Sequence, residues 1–127
     1  MVFFHFLMRL AFRRFGDAKA KAVLVFVHGH TSSKESWNPI VSRLEGFNCI
    51  AFDLRGHGES ALSPFGEDDY SPAALARDLH EMVQSEVNSE GDKDIYLVGH
   101  SMGGRVVVPY AQTFPKGIVG LSSRIWT

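Results

Sequence analysis

Apolar residues gather in three short unbroken stretches, residues 22–27, 49–52 and 95–98, and each ends at a loop bearing glycine. Runs of this length, rich in valine and isoleucine, predict strands covered on both faces, as in a parallel sheet. Between the second and third, Leu75, Leu79, Met82, Val83 and Val87 recur at helical spacing and form one apolar stripe. Ser71-Pro72 begins that helix with a hydroxyl cap and a proline at the first helical position, and Gly91 closes it. A shorter helix is predicted over residues 37–44, with Ser36 as its cap and Gly46 as its stop. A third covers residues 105–114, where Pro109 predicts a kink and one lost backbone bond. Residues 10–16 read as a further strand ending at a glycine turn, residues 48–54 as the full extent of the second buried strand, and residues 117–121 as the start of another. Residues 31–35 and 55–70 read as loops.

Strand and helix alternate, which predicts an α/β fold: a mostly parallel sheet with right-handed crossovers and helices on both faces. In such sheets ligands bind beyond the carboxyl ends of the strands. Three loops therefore converge on one edge: His28-Gly29-His30, the segment from Asp53 to Ser60, and Gly99-His100-Ser101-Met102-Gly103.

The bulk properties narrow the function classes. A chain of 127 residues reads as a single domain, 1–127, with one hydrophobic core. A net charge of −1 gives no electrostatic case for nucleic acid or an anionic membrane surface. No apolar run approaches the roughly 20 residues of a membrane span. The single cysteine, Cys49, cannot form an internal disulfide and sits in an apolar run, which favours a reducing, cytoplasmic compartment. Residues 1–16 carry three arginines and no acid, the pattern of a mitochondrial or plastid transit peptide, but lack the serines usual there. The strand reading of residues 10–16 is preferred.

The third loop carries the chemistry. Gly99-His100-Ser101-Met102-Gly103 is a G-x-S-x-G pentapeptide between an apolar strand and a helix, the setting of a nucleophile elbow. Such a turn strains the serine backbone and brings the residues two before and two after it so close that a Cβ would clash. It also aims backbone N–H groups of the following helix at the space above the serine, where an oxyanion would form. Two rival glycine motifs fail on chemistry. Gly56-His57-Gly58-Glu59-Ser60-Ala61 has dinucleotide-fingerprint spacing but runs into Leu62-Ser63-Pro64 rather than a helix. Gly99 to Gly104 has phosphate-loop spacing, yet Arg105-Val106 replaces the Lys-Ser/Thr that would hold phosphate and magnesium. His28 and His30 have no third ligand nearby, so no metal and no other cofactor is expected. Asp53, Arg55 and His57 are read as ties between loops, and His28 as a structural residue orienting its own.

Three ordered motifs make the chain resemble the α/β-hydrolase fold family: Val27-His28-Gly29-His30, then Asp53-Leu54-Arg55-Gly56-His57-Gly58-Glu59-Ser60, then Gly99 to Gly104, a likeness over about residues 10–121. The resemblance implies Ser101 as nucleophile and the backbone amides of His30 and Met102 as oxyanion donors. It implies a serine hydrolase acting on an ester, thioester or amide, with a small-molecule acyl substrate. The family takes its triad in the order Ser, Asp or Glu, His, and no Asp, Glu or His follows Ser101 in residues 102–127. Ser122-Ser123-Arg124 puts polar residues where a central strand expects aliphatic ones, so the last six residues read as having left the family's frame, as alternative splicing, a gene-model error or a truncation would produce. Two expectations result. One is the N-terminal portion of a serine hydrolase, nearly inactive alone. The other is a dead fragment that binds a partner, or itself, through an exposed edge left beside the elbow strand.

Overall fold

The computed structural model describes residues 9–62 and 70–124. Five strands form one sheet: β1 (Phe12–Gly16), β2 (Ala22–Val27), β3 (Asn48–Phe52), β4 (Asp94–His100) and β5 (Ile118–Arg124). Their order is β1-β3-β2-β4-β5, with β1 antiparallel to β3 and every other pair parallel. A 3₁₀ turn at Lys34–Trp37 leads into α1 (Asn38–Val41). The longer helices are α2 (Pro72–Met82), which widens into a π turn at Val83–Val87, and α3 (Met102–Thr113). This is the expected α/β architecture. Residues 1–8, the main part of the transit-peptide reading, lie outside the described residues, as do 63–69 of the long loop.

Strand alternation sorts the core onto two faces. Val23, Val25 and Val27 of β2, with Ile95 and Leu97 of β4, meet the stripe of α2 and Val106, Val107 and Tyr110 of α3. All five stripe residues of α2 are buried, and full burial of such a side chain contributes about 1.5–3 kcal/mol. On the opposite face Phe26, Cys49 and Ala51 pack against Trp37 and Val41. The cap of α2 forms as its sequence predicts: the Ser71 hydroxyl accepts the Ala74 amide at 3.2 Å.

Other elements depart from expectation for identifiable reasons. The helix expected over 37–44 is split, because Pro39 lacks an N–H and fits only a first turn, which forces α1 to begin at Asn38. Ser36 is therefore no cap. It lies inside the 3₁₀ turn, and its hydroxyl donates to the Ser33 carbonyl at 2.8 Å. The helix α3 begins at Met102 rather than Arg105 and continues past Pro109 as one element. Ser122, Ser123 and Arg124 do not leave the fold. They pair in register with Val98, Gly99 and His100, and their exposed places on an edge strand accept polar side chains. The elbow strand β4 is thus paired on both sides, by β2 and β5, and among the described residues β1 and β5 are the two edge strands.

The first turn of α3 packs hard against the end of β2 at Gly103, where a Cβ would lie 2.1 Å from the Val27 carbonyl oxygen. Gly103→Ala is expected to lower the thermal midpoint by roughly 4–12 °C, since overpacking of about 1–3 kcal/mol outweighs alanine's better helix propensity. Calorimetry or circular-dichroism melting checks this. An unchanged or raised midpoint would show that α3 does not sit so close to β2.

Candidate active site

Ser101 stands alone between β4 and α3 with φ 55° and ψ −117°. A positive φ is costly for serine, about 1–3 kcal/mol, and persists only where the surroundings impose it. They do so from three sides. A Cβ on Gly99 would come within 2.5 Å of the Gly103 carbonyl oxygen, so the turn closes only with glycine there. Gly103 is pressed against the end of β2 as described above. The Ser101 amide donates to the Arg124 carbonyl at 2.6 Å, and the Gly104 amide donates to the Ser101 carbonyl at 2.9 Å. The sequence did not anticipate the first of these bonds, because Arg124 belongs to the segment read as out of frame.

Ser101 and His100 form one wall of an open cleft of about 390 Å³. Gly29 and His30, from the loop after β2, form the facing wall. The loops are in direct apposition: a Cβ on Gly29 would lie 3.3 Å from the Ser101 Cβ. Met102 opens α3, so its amide is one of the first four N–H groups for which a helix has no internal acceptor. The three residues predicted from sequence are therefore gathered at one place. No hydrogen bond joins a histidine ring to Ser101 among the described residues. His28 is fully buried: its Nε2 accepts the Leu54 amide at 3.0 Å and its Nδ1 donates to the Gly29 carbonyl at 2.7 Å. That is the structural role expected of it. The His57 Nδ1 donates to the Arg55 carbonyl at 3.0 Å, and its ring stands 5.0 Å from His28 and 5.8 Å from His30. His80 is used in helix packing, stacked on Phe114 at 3.8 Å.

The loops after β2 and β3 are tied by buried charge. Asp53, with no exposed surface, accepts the Lys34 amide and ammonium, both at 2.7 Å, and the Glu59 amide at 2.9 Å. The Lys34 ammonium also reaches Glu59 at 2.8 Å and Glu35 at 3.0 Å. Arg55 grips Asp78 of α2 with two bonds of 2.6 Å. Asp53 and Arg55 thus do the tying expected of them. Lys34 and Asp78, which complete the pairs, were not singled out, since 19 and 23 residues separate them from their partners.

These contacts set the protonation states. Burial disfavours charge on His28 most, outweighing its bond to Gly29, and holds its pKa below the ordinary 6.5. Burial lowers the pKa of His80 as well. For Asp53 burial alone would raise the pKa, but the bonds from the Lys34 ammonium and the two amides override it and hold the carboxyl below its ordinary 3.8. Between the lowered histidine values and 6.5 the unfolded chain binds protons that the folded chain refuses, so stability rises with pH there. The Asp53 contribution is present above 3.8 and is lost as pH falls through its lower folded value. The thermal midpoint is accordingly expected to fall from pH 8 to pH 5 and to drop again below about pH 4. A midpoint independent of pH from 8 to 5 would contradict the neutral, buried state of His28.

Comparison with known proteins agrees with this geometry. A family model for the alpha/beta hydrolase fold matches residues 22–123, which includes Ser122 and Ser123. Lipase 1 of Psychrobacter immobilis is 37% identical over 98 residues, covering 77% of this chain and 29% of the lipase. A lipase-esterase related protein from Clostridium acetobutylicum superposes with a TM-score of 0.77 at 30% identity, over 90% of this chain and 45% of that one. A thermophilic esterase from Thermogutta terrifontis gives 0.77 at 31% identity, over 90% and 39%. The chain thus spans less than half the length of these relatives. None of its described helices is long and apolar enough to cross a membrane. With the strand order, the elbow and the family match in agreement, the chain belongs to the alpha/beta hydrolase fold family.

Proposed function

We propose that residues 1–127 carry the nucleophile and oxyanion-binding part of a serine hydrolase acting on an ester, thioester or amide. The observation that carries this reading is the imposed positive-φ turn at Ser101, opening into the same cleft as His30. In the reaction the Ser101 Oγ attacks the acyl carbon while a base removes the hydroxyl proton. The carbonyl oxygen, now an oxyanion, takes hydrogen bonds from the His30 and Met102 amides. Collapse breaks the bond to the leaving group, which receives the proton, and water then hydrolyses the acyl-Ser101 ester. The lipase and esterase relatives support the ester class.

The base and its orienting acid come, in this reading, from outside residues 1–127, for which the greater length of the relatives leaves room. Loss of triad function typically removes on the order of 10⁶ in turnover, and an oxyanion hole alone leaves about 10³-fold over water. The 127-residue chain is therefore expected to hydrolyse p-nitrophenyl acetate only weakly, with Ser101→Ala changing the rate little. A fluorophosphonate is expected to label it over hours, on Ser101 alone by peptide mapping, and added imidazole to speed the labelling. Ser101→Ala should give no adduct. Labelling of a different serine would overturn the nucleophile. Complete labelling within minutes without imidazole would overturn the external base.

A further inference from the structure

We propose that Thr31 is a positioning residue for the reaction: its left-handed turn, held by its own hydroxyl, aims the His30 amide at the space above Ser101. The inference rests on the reading of Ser101 as nucleophile and adds the residue that sets one of its two oxyanion donors.

Glycines aside, only Thr31 and Ser101 among the described residues have a positive φ, 58° and 55°. They stand on the two loops that meet at the cleft. The glycine contacts of the elbow explain the strain at Ser101. At Thr31 the cause is tethering. His28 accepts the Leu54 amide at 3.0 Å, and the Lys34 amide donates to Asp53 at 2.7 Å. Both ends of residues 29–33 are therefore held at neighbouring positions of the loop after β3. The chain has to reverse between them, and it does so at Gly29–Ser32, where the Ser32 amide donates to the Gly29 carbonyl at 3.3 Å. Thr31 is the third residue of that turn, where a positive φ is ordinarily a glycine's. For a β-branched residue it is an outlier. Thr31 is also exposed, so burial of its side chain does not offset the strain. What the side chain does instead is donate to the His30 carbonyl at 2.6 Å.

These bonds fix both peptide planes that flank His30. The Gly29 carbonyl and the His30 N–H belong to one planar trans peptide and point in opposite directions. That carbonyl is drawn toward the buried His28 ring, which donates to it at 2.7 Å, and toward the Ser32 amide. The His30 N–H is thereby turned away from His28, and it has no acceptor among the described residues. The Thr31 hydroxyl holds the next plane through the His30 carbonyl. Gly29, His30 and Ser32 line the cleft and Thr31 does not, so Thr31 acts through His30 rather than on a substrate.

The test reads the two donors separately. The ¹⁵N-labelled chain is converted to its Ser101 adduct with a fluorophosphonate and imidazole, and the His30 and Met102 amide protons are followed. Both are expected to move downfield as they bond the phosphonyl oxygen. Thr31→Val keeps the side-chain shape and removes the hydroxyl. It should label more slowly by roughly five-fold or more, and its adduct should lose the His30 shift while keeping that of Met102. Thr31→Ser should restore both rate and shift. Thr31→Gly accepts the positive φ without strain, so it should hold its thermal midpoint within about 3 °C and still label more slowly by roughly five-fold or more. Should Thr31→Val not fold, Thr31→Gly decides alone. A smaller loss of rate in either variant would overturn the proposal and leave Ser101 standing as nucleophile. So would a His30 shift kept in the valine adduct, or a slower rate in the glycine variant that tracks a lowered midpoint. No adduct on Ser101 in the unaltered chain would instead overturn the nucleophile, and this proposal with it.

Discussion

Everything at the site depends on how closely the first turn of α3 approaches the end of β2. Gly103 faces the Val27 and His28 carbonyls at distances that no Cβ would survive, and Gly99 faces Gly103 in the same way. With both contacts closed, the chain between β4 and α3 has no room for an ordinary turn. Ser101 is left in a left-handed conformation that it would not choose alone. The same closure brings the loop after β2 against the serine, so strain in the backbone and convergence of the site have one cause. The cost is carried by the packing of β2, β4 and α3 through Val25, Leu97, Val106 and Val107, none of which is exposed.

A second layer of constraint is electrostatic. Asp53 and Arg55 each fix a loop through a buried ion pair. Buried charge is destabilising unless it is paired and hydrogen-bonded, and removing one partner of such a pair typically costs about 3–5 kcal/mol. Here the loops after β2 and β3 are held by satisfied pairs, Lys34 with Asp53 and Arg55 with Asp78. His28 adds a neutral clamp between the loops after β2 and β3. The loops are therefore positioned by buried ion pairs and a buried imidazole, which is what the proposed oxyanion-binding site would require.

Much of this was legible in the sequence, and the limits are instructive. Periodicity found β2, β4 and the α2 stripe because those patterns are local. The elbow was readable because its glycines answer a local steric demand. What the sequence hid was long-range. Lys34 looked like one more loop lysine until folding placed it over Asp53. Arg124 looked out of place until β5 paired with β4 and its carbonyl met the Ser101 amide. Ser36 was a plausible cap by composition, but Pro39 set the helix start downstream of it. The polar residues of β5 misled because a central strand was assumed where the described residues place an edge.

The most direct measurement is a crystal structure of the chain after prolonged reaction with a fluorophosphonate in the presence of imidazole. Expected is a phosphorus atom bonded to the Ser101 Oγ, with its free oxygen about 2.7–3.1 Å from the His30 and Met102 amide nitrogens. An adduct on Ser101 whose oxygen faces solvent, or one bonded to another residue, would contradict the claim that the strained turn and the loop after β2 together form an oxyanion-binding nucleophile site.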